Sequence, residues 1–225
     1  MKDAANRTVQ TTAQLPAHEQ VYQTLRAQIL FGEMAPGQAV TIQGLTTSLE
    51  AGMTPVREAI RRLISDGALV FQGNRRVSVP QLTSGDVDQI KFLRKTIEYE
   101  LTRRASGNLS KAVVRDLESA DVALDAAISA GDIAGYLRYN YQFHAILYAQ
   151  AHAPIMEAIA DRLWLRFGPS LRVVCGRFGT QSLPDRHKDL LQALRNGDAE
   201  AAAQAIVLDV EQGMDQVATV IDSQH

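Results

Sequence analysis

Apolar and polar positions alternate along this chain in two rhythms, a helical one over most of its length and a strand-like one over a short stretch. In "HEQVYQTLRAQILFG", Val21, Leu25, Ile29 and Leu30 fall on one helical face, and Gly32 ends the run. "MAPGQAV" reads as a turn. "TIQGLTTSLEAG" resumes the helical spacing at Ile42, Leu45 and Leu49, with Thr41 as N-cap. In "GMTPVREAIRRL", Thr54 is the expected N-cap and Pro55 the first helical residue. Val56, Ile60, Leu63 and Ile64 then share one side, and Thr54, Arg57, Arg61 and Ser65 the other. The period changes in "ALVFQGNRRVSVP", where β-branched and aromatic residues flank a Gly-Asn turn and predict a hairpin with Arg75 and Arg76 at its tip. Three helices followed by a hairpin is the order of a winged helix-turn-helix.

From Thr83 onward the pattern is helical throughout. Six helices are predicted, over 84–105, 110–130, 132–151, 154–177, 184–196 and 198–220. Ser110 and Asp132 are the expected caps, Pro154 opens a first turn, and Gly107, Gly131 and Gly197 lie past helix ends. Short connections between such helices give an antiparallel bundle. The predicted fold is therefore mainly α. Residues 1–15 form a flexible arm, 16–80 the winged helix-turn-helix and 83–222 an all-helical domain of about six helices, with the boundary in "VPQLTSGD".

Composition narrows the classes. A hydrophobic content of 46% in 225 residues supports a real core. The single cysteine, Cys175, forbids an internal disulfide and suits a reducing cytoplasm, the expected location. No apolar run approaches the ~18–20 residues of a membrane span, so no membrane partner is expected. "MKDAANRTVQTTAQ" lacks the apolar stretch of a signal peptide. Residues 1–80 hold eight of the 23 basic side chains and six of the 25 acidic ones, so a mildly basic first third precedes an acidic remainder. That split points to different partners for the two parts.

The basic third carries its arginines where DNA would be read. A recognition helix reads bases in the major groove with its N-terminal residues, and Arg pairs bidentately with guanine. Thr54, Arg57 and Arg61 occupy that position, with Gly52 and Met53 leading in and Gln43 and Thr46 on the preceding helix. Asn74, Arg75 and Arg76 in the hairpin turn suit phosphates or a minor groove.

"LRAQILFGEMAPGQAVTIQGLTTSLEAGMTPVREAIRRLISDGALV" resembles the DNA-binding domain of the GntR family of bacterial transcription regulators, above all in "TPVREAIRRL" and "DGALV". The helical remainder resembles the FCD ligand-binding domain of the FadR-type branch, so that the likeness covers roughly residues 18–220. The resemblance implies a homodimer on a palindromic double-stranded operator, controlled by a small carboxylate effector and acting as a repressor. Two departures stand in the DNA-reading part. Met53 replaces the arginine that commonly precedes T-P-V-R-E, and Arg76 replaces a common wing glycine. Met cannot donate a hydrogen bond but can touch a thymine methyl, so the expected operator departs from the common half-site.

The helical part has candidate ligands. "YNYQFH" puts Asn140 and His144 one turn apart on one helix, His187 lies early in the fifth helix, and Asp209 lies within the sixth. Spacing alone gives a thin metal case, since a helical histidine is more often a hydrogen-bonded core or surface residue. The FCD resemblance implies a site built from D-x-x-x-H on one helix and one His on each of the last two. This chain would supply Asn140, His144, His187 and Asp209, keeping one carboxylate in the set. Oxygen in place of imidazole favours a harder or borderline divalent ion; zinc is expected first, with nickel and manganese as alternates. "FLRKTIEYE" matches a family pattern that offers Arg94 and Glu98 to the effector, against the plain alternative of a surface i, i+4 pair. Arg172 is a further effector candidate, next to Gly168-Pro169, which either opens space for a ligand or kinks the helix.

Two other readings remain open at this point. The same four residues could form a hydrolytic metal centre, although the chain shows no G-x-S-x-G, no phosphate loop and no general base in a motif context, so an enzyme is not expected. Loss of arginine at position 53 keeps open an architectural DNA-binding module without an effector.

Overall fold

A computed structural model describes residues 15–73, 76–178 and 186–222. Asn74, Arg75 and residues 1–14 of the expected arm lie outside the described residues. The N-terminal part comprises α1 (Ala17–Leu30), β1 (Ala39–Val40), α2 (Ile42–Ser48), α3 (Met53–Ser65), β2 (Val70–Gln72) and β3 (Arg76–Ser78). The helical part comprises α4 (Ser84–Ser106), α5 (Lys111–Ala130), α6 (Ile133–Ala149), α7 (Pro154–Phe178), α8 (Arg186–Arg195) and α9 (Ala199–Asp222).

Each predicted helix forms for a local reason. Thr41 caps α2 by accepting from the Gly44 N–H at 3.0 Å. Thr83 and Asp86 close a reciprocal capping box at the start of α4. Ser110 and Asp132 cap α5 and α6, and Gly131 ends α5 in the left-handed region at φ 68°. One boundary is corrected: α3 starts at Met53 with Gly52 as N-cap, so Thr54 lies inside the first turn. Pro55 is then the third helical residue, where its missing N–H still costs nothing because first-turn amides have no intrahelical acceptor. The hairpin is also larger than expected. β1 adds to it, giving an antiparallel sheet in the order β1-β3-β2, with Val40 opposite Val77 and Phe71 opposite Val77. A two-residue strand carries too little alternation to be read from sequence.

In the helical part α4 lies along α9, α5 along α6, and α8 along α9. Lys91–Asp215 (2.6 Å) and the Lys95–Glu211 pair tie α4 to α9 on the outside. Among the described residues no helix is long and apolar enough to cross a membrane.

The two parts share one hydrophobic core. It runs from Leu25, Ile29 and Leu63 through Trp164, Phe167 and Leu171 of α7 to Val210, Met214 and Val217 of α9. A second cluster, around Leu101, Phe143, Leu147, Leu190 and Ile206, fills the rest of the bundle. The junction is α1 on α7. A Cβ at Gly168 would sit 2.3 Å from the Leu30 carbonyl oxygen, so glycine there permits the close approach. Gly168 therefore serves helix packing, and neither it nor Pro169 is among the residues lining the cavity described below. Around this contact Arg26 pairs with Asp161 and with the Tyr141 hydroxyl, Tyr141 donates to Asp161 at 2.6 Å, and Arg162 lies 3.6 Å from Asp66.

Candidate functional site

The DNA-facing candidates cluster on α3 and the sheet. Met53, Thr54, Arg57 and Arg61 are all exposed, and positions 53, 57 and 61 follow one another by a full turn along one stripe. Among the described residues neither Arg57 nor Arg61 has a hydrogen bond or ion pair. Arg62 differs: it reaches Glu19 at 2.7 Å and stacks on Tyr22 at 3.6 Å, fastening α3 to α1. Gly52 is exposed at the helix cap, Gln43 is exposed on α2, and Arg76 is exposed on β3. Thr46 turns its hydroxyl back onto the Gln43 carbonyl at 2.8 Å.

Inside the bundle, α6, α8 and α9 bring His144, His187 and Asp209 together, with one ligand atom of each within 4.8 Å of the others. His144 Nε2 is 3.4 Å from Asp209 Oδ2, and His187 Nε2 is 3.8 Å from Asp209 Oδ1. Both histidines are buried, and His187 stacks flat on Phe143 at 3.9 Å. Asn140, one turn before His144, is buried and lines the adjoining cavity.

The hydrogen bonds around His144 decide which nitrogen is free. Arg94 Nε and Nη2 bond the two Glu98 oxygens at 2.6 and 3.1 Å, so Glu98 is an ionised acceptor with no proton to give. Tyr148 donates its one proton to Glu98. Burial and the Glu98 charge raise Tyr148 well above the usual phenol range, so that proton stays. The Tyr148 oxygen can then only accept, and its partner is the His144 Nδ1–H at 2.9 Å. His144 Nε2 is left as a bare lone pair, buried and without a hydrogen bond. Burial pushes His144 below its ordinary value, so the ring is neutral.

A lone pair therefore faces a carboxylate with no hydrogen between them. A cation fits that gap. Two ligand atoms ~2.1 Å from a zinc ion stand about 3.4 Å apart at a tetrahedral angle, which matches the His144–Asp209 separation. Asp121 Oδ1 lies 3.5 Å from His187 Nδ1, close but without a hydrogen bond between them, and His187 Nε2 is the nitrogen nearer Asp209.

The adjoining cavity has a volume of about 170 Å³. Its polar wall includes Arg94, Asp125, Asn140, Arg186, His187 and Asp209, and its apolar wall includes Leu124, Trp164, Phe167 and Leu171. Arg94 is 3% exposed, held by Glu98 and set against the adjacent rings of Trp164 (4.7 Å) and Phe167 (4.2 Å). The pair expected as a surface alternative is thus internal. Glu98, fully buried, stands behind Arg94 and off the cavity wall, so its part is to hold Arg94 and Tyr148. Arg172 is also corrected: it lies at the domain junction, where a Cβ on Gly32 would meet its side chain at 2.5 Å. Tyr148, Asp121 and Arg186 were missed by sequence reasoning. Tyr148 lies one turn after His144 and Arg186 directly before His187, both legible as neighbours; Asp121 carried no signal.

Comparison with known proteins follows the same division. Residues 17–79 match the model of bacterial regulatory proteins of the gntR family, and residues 89–212 match the FCD domain. The HTH-type transcriptional regulator McbR of Escherichia coli K12 is 27% identical over 198 residues, covering 87% of this chain and 90% of that protein. The HTH-type transcriptional repressor RspR of the same strain is 24% identical over 195 residues, covering 85% and 84%. The solved structure of E. coli McbR/YncC superposes with a TM-score of 0.83 at 26% identity, covering 94% of this chain and 99% of that one. A regulator from Rhodococcus sp. RHA1 shares the fold, with a TM-score of 0.73 at 21% identity over 89% and 96%. These relatives are transcription regulators, which sets the hydrolase reading aside.

Proposed function

The chain belongs to the GntR family of bacterial transcription regulators and carries an FCD domain, and from that premise we propose that it is a homodimeric repressor whose operator affinity is set by a small organic acid at a metal centre. Asn140, His144, His187 and Asp209 would hold a divalent ion, zinc first and nickel or manganese as alternates. The ion supplies an open, electrophilic position for the carboxylate of the effector. The observation that carries this reading is the bare Nε2 of His144 facing Asp209 at 3.4 Å, with Tyr148 and Glu98 fixing the tautomer.

On the DNA side, two copies of α3 would enter successive major grooves of a palindrome. Arg57 and Arg61 reach bases or phosphates, Met53 favours a thymine methyl over a guanine, and Arg76 follows the backbone. The effector acts through differential affinity for two arrangements of the DNA-binding parts. A path for that difference is α7, which lines the cavity with Trp164, Phe167 and Leu171 and meets α1 through Asp161 and Gly168. RspR is named a repressor, which favours repression here.

The test is the metal content of full-length protein purified without nickel resin, beside His187→Ala. About one equivalent per chain, lost in the variant, is expected. Metal-free protein that stays empty after soaking in zinc, nickel and manganese would sink the metal centre, while leaving the DNA-binding role intact.

A further inference from the structure

Arg94 is poorly placed to anchor a ligand by itself. Its Nε and one terminal nitrogen are engaged by Glu98, and the guanidinium packs against the neighbouring rings of Trp164 and Phe167. One terminal nitrogen remains. A second guanidinium lines the same cavity with more to offer. Arg186, the first residue of α8, has a side chain that is 36% exposed, but its Nε is enclosed and has no hydrogen-bond partner among the described residues. Its Nη1 reaches Asp189 at 3.1 Å, but Asp189 is 61% exposed, so that pair is a weak surface contact. Nε and Nη2 form the side-on fork of arginine, the geometry that takes both oxygens of a carboxylate. The other charged groups of the wall are balanced: Asp125 by Lys188 at 2.9 Å and Arg94 by Glu98.

We infer that Arg186 selects an effector with a second anionic group, so that the ligand is a short two-ended acid. This rests on the metal-centred reading above: one carboxylate goes to the ion beside His187 and Asp209, and the other end goes to Arg186. Size sets the limit. A cavity of roughly 150 Å³ takes a benzene-sized guest, so about 170 Å³ suits a dicarboxylate of a few carbons. Arg186 and His187 both line this one cavity, so the two subsites lie within reach of a compact ligand. The apolar wall of Leu124, Phe167 and Leu171 then covers the carbon chain between the two ends.

The experiment is calorimetric titration of zinc-loaded full-length protein with succinate, butyrate and phosphoglycolate, for the unmodified chain and for Arg186→Met. Succinate should bind at least ~10-fold more tightly than butyrate, in line with a charge-assisted pair. Arg186→Met should abolish that preference while leaving butyrate binding unchanged and the metal content intact. Phosphoglycolate binding more tightly than succinate, with the advantage again lost in Arg186→Met, would support the same subsite with phosphate as its preferred occupant. A succinate preference that survives in Arg186→Met, or no preference in the unmodified chain, overturns the role of Arg186. Failure of all three acids to bind protein with zinc in place overturns the carboxylate-at-metal reading, and Arg186 with it. Arg186→Lys, which keeps the charge without the fork, should recover only part of the preference.

Discussion

Arg57 and Arg94 carry the same guanidinium into opposite surroundings. Arg57 stands exposed on α3 without a partner, and Arg61 one turn on is the same. Arg94 is buried against two adjacent aromatic rings and bonded twice to a fully buried carboxylate. The first kind of arginine contributes little to the fold and is available to a phosphate or a base. The second is part of the fold, and its value lies in what it fixes: through Glu98 and Tyr148 it sets the tautomer of His144. Position in a helix therefore says less about an arginine's task than what the rest of the chain packs around it.

The largest effect should come from breaking the buried side of this contrast. Glu98→Ala leaves Arg94 charged and unpaired inside the bundle and should destabilise by ~3–5 kcal/mol in denaturant unfolding. A cost under ~1 kcal/mol would mean that Arg94 finds water or another partner. The exposed side should respond the other way. Arg57→Ala should leave stability within ~0.5 kcal/mol and weaken operator binding by ~1–3 kcal/mol, read by mobility shift at fixed salt. An equal loss on unrelated DNA would assign Arg57 to phosphate contact alone. Next in size, Tyr148→Phe removes the acceptor for His144 Nδ1–H together with the donor to Glu98, which at 3.8 Å is too far to take over from the tyrosine. Metal affinity should fall ~10–100-fold with little change in fold, as measured by competition with a chelator.

The smallest effect sharpens the comparison with a third carboxylate. Glu100, on the outside of α4, is held at about 2 by hydrogen bonds from Arg103 and Arg104, below the usual 4.5. Because its folded value is lowered, its contribution is present above about pH 4.5 and is lost as pH falls toward 2. Exposure and salt screen it, so Glu100→Gln should change stability by no more than ~0.5 kcal/mol at neutral pH. A larger cost would show that surface charge on α4 matters as much as the buried pair.

What could be read from the sequence was what short-range chemistry dictates. The order of helices, the caps at Thr41, Ser110 and Asp132, and the left-handed Gly131 all follow from residues within a few positions of each other. The apolar stripe of α3 gave the exposed arginine stripe as its complement. Thr54 was misplaced because a Thr-Pro step fits two registers, and the helix takes the one capped by Gly52. The site was legible where its residues share a helix, as Asn140 and His144 do. The burial of Arg94 depends on Trp164 and Phe167 of α7, the Tyr148–Glu98 bond spans 50 residues, and Asp121 meets His187 from α5. None of these leaves a periodic trace. Arg172 looked like a ligand contact because its helix lines the cavity, but the side chain leaves on the flank that faces the DNA-binding part.

Gly168 has a mechanical meaning. With its Cα set against the Leu30 carbonyl, there is no slack between α7 and α1 for a displacement to be absorbed. Phe167, its immediate neighbour, forms part of the cavity wall. A force on that wall is thus applied one residue from a bearing on which the DNA-binding part rests, and the helix behaves as a short lever with almost no backlash. Any side chain larger than hydrogen at position 168 would act as a fixed shim, tilting the DNA-binding part once and for all and uncoupling its angle from whatever the cavity holds.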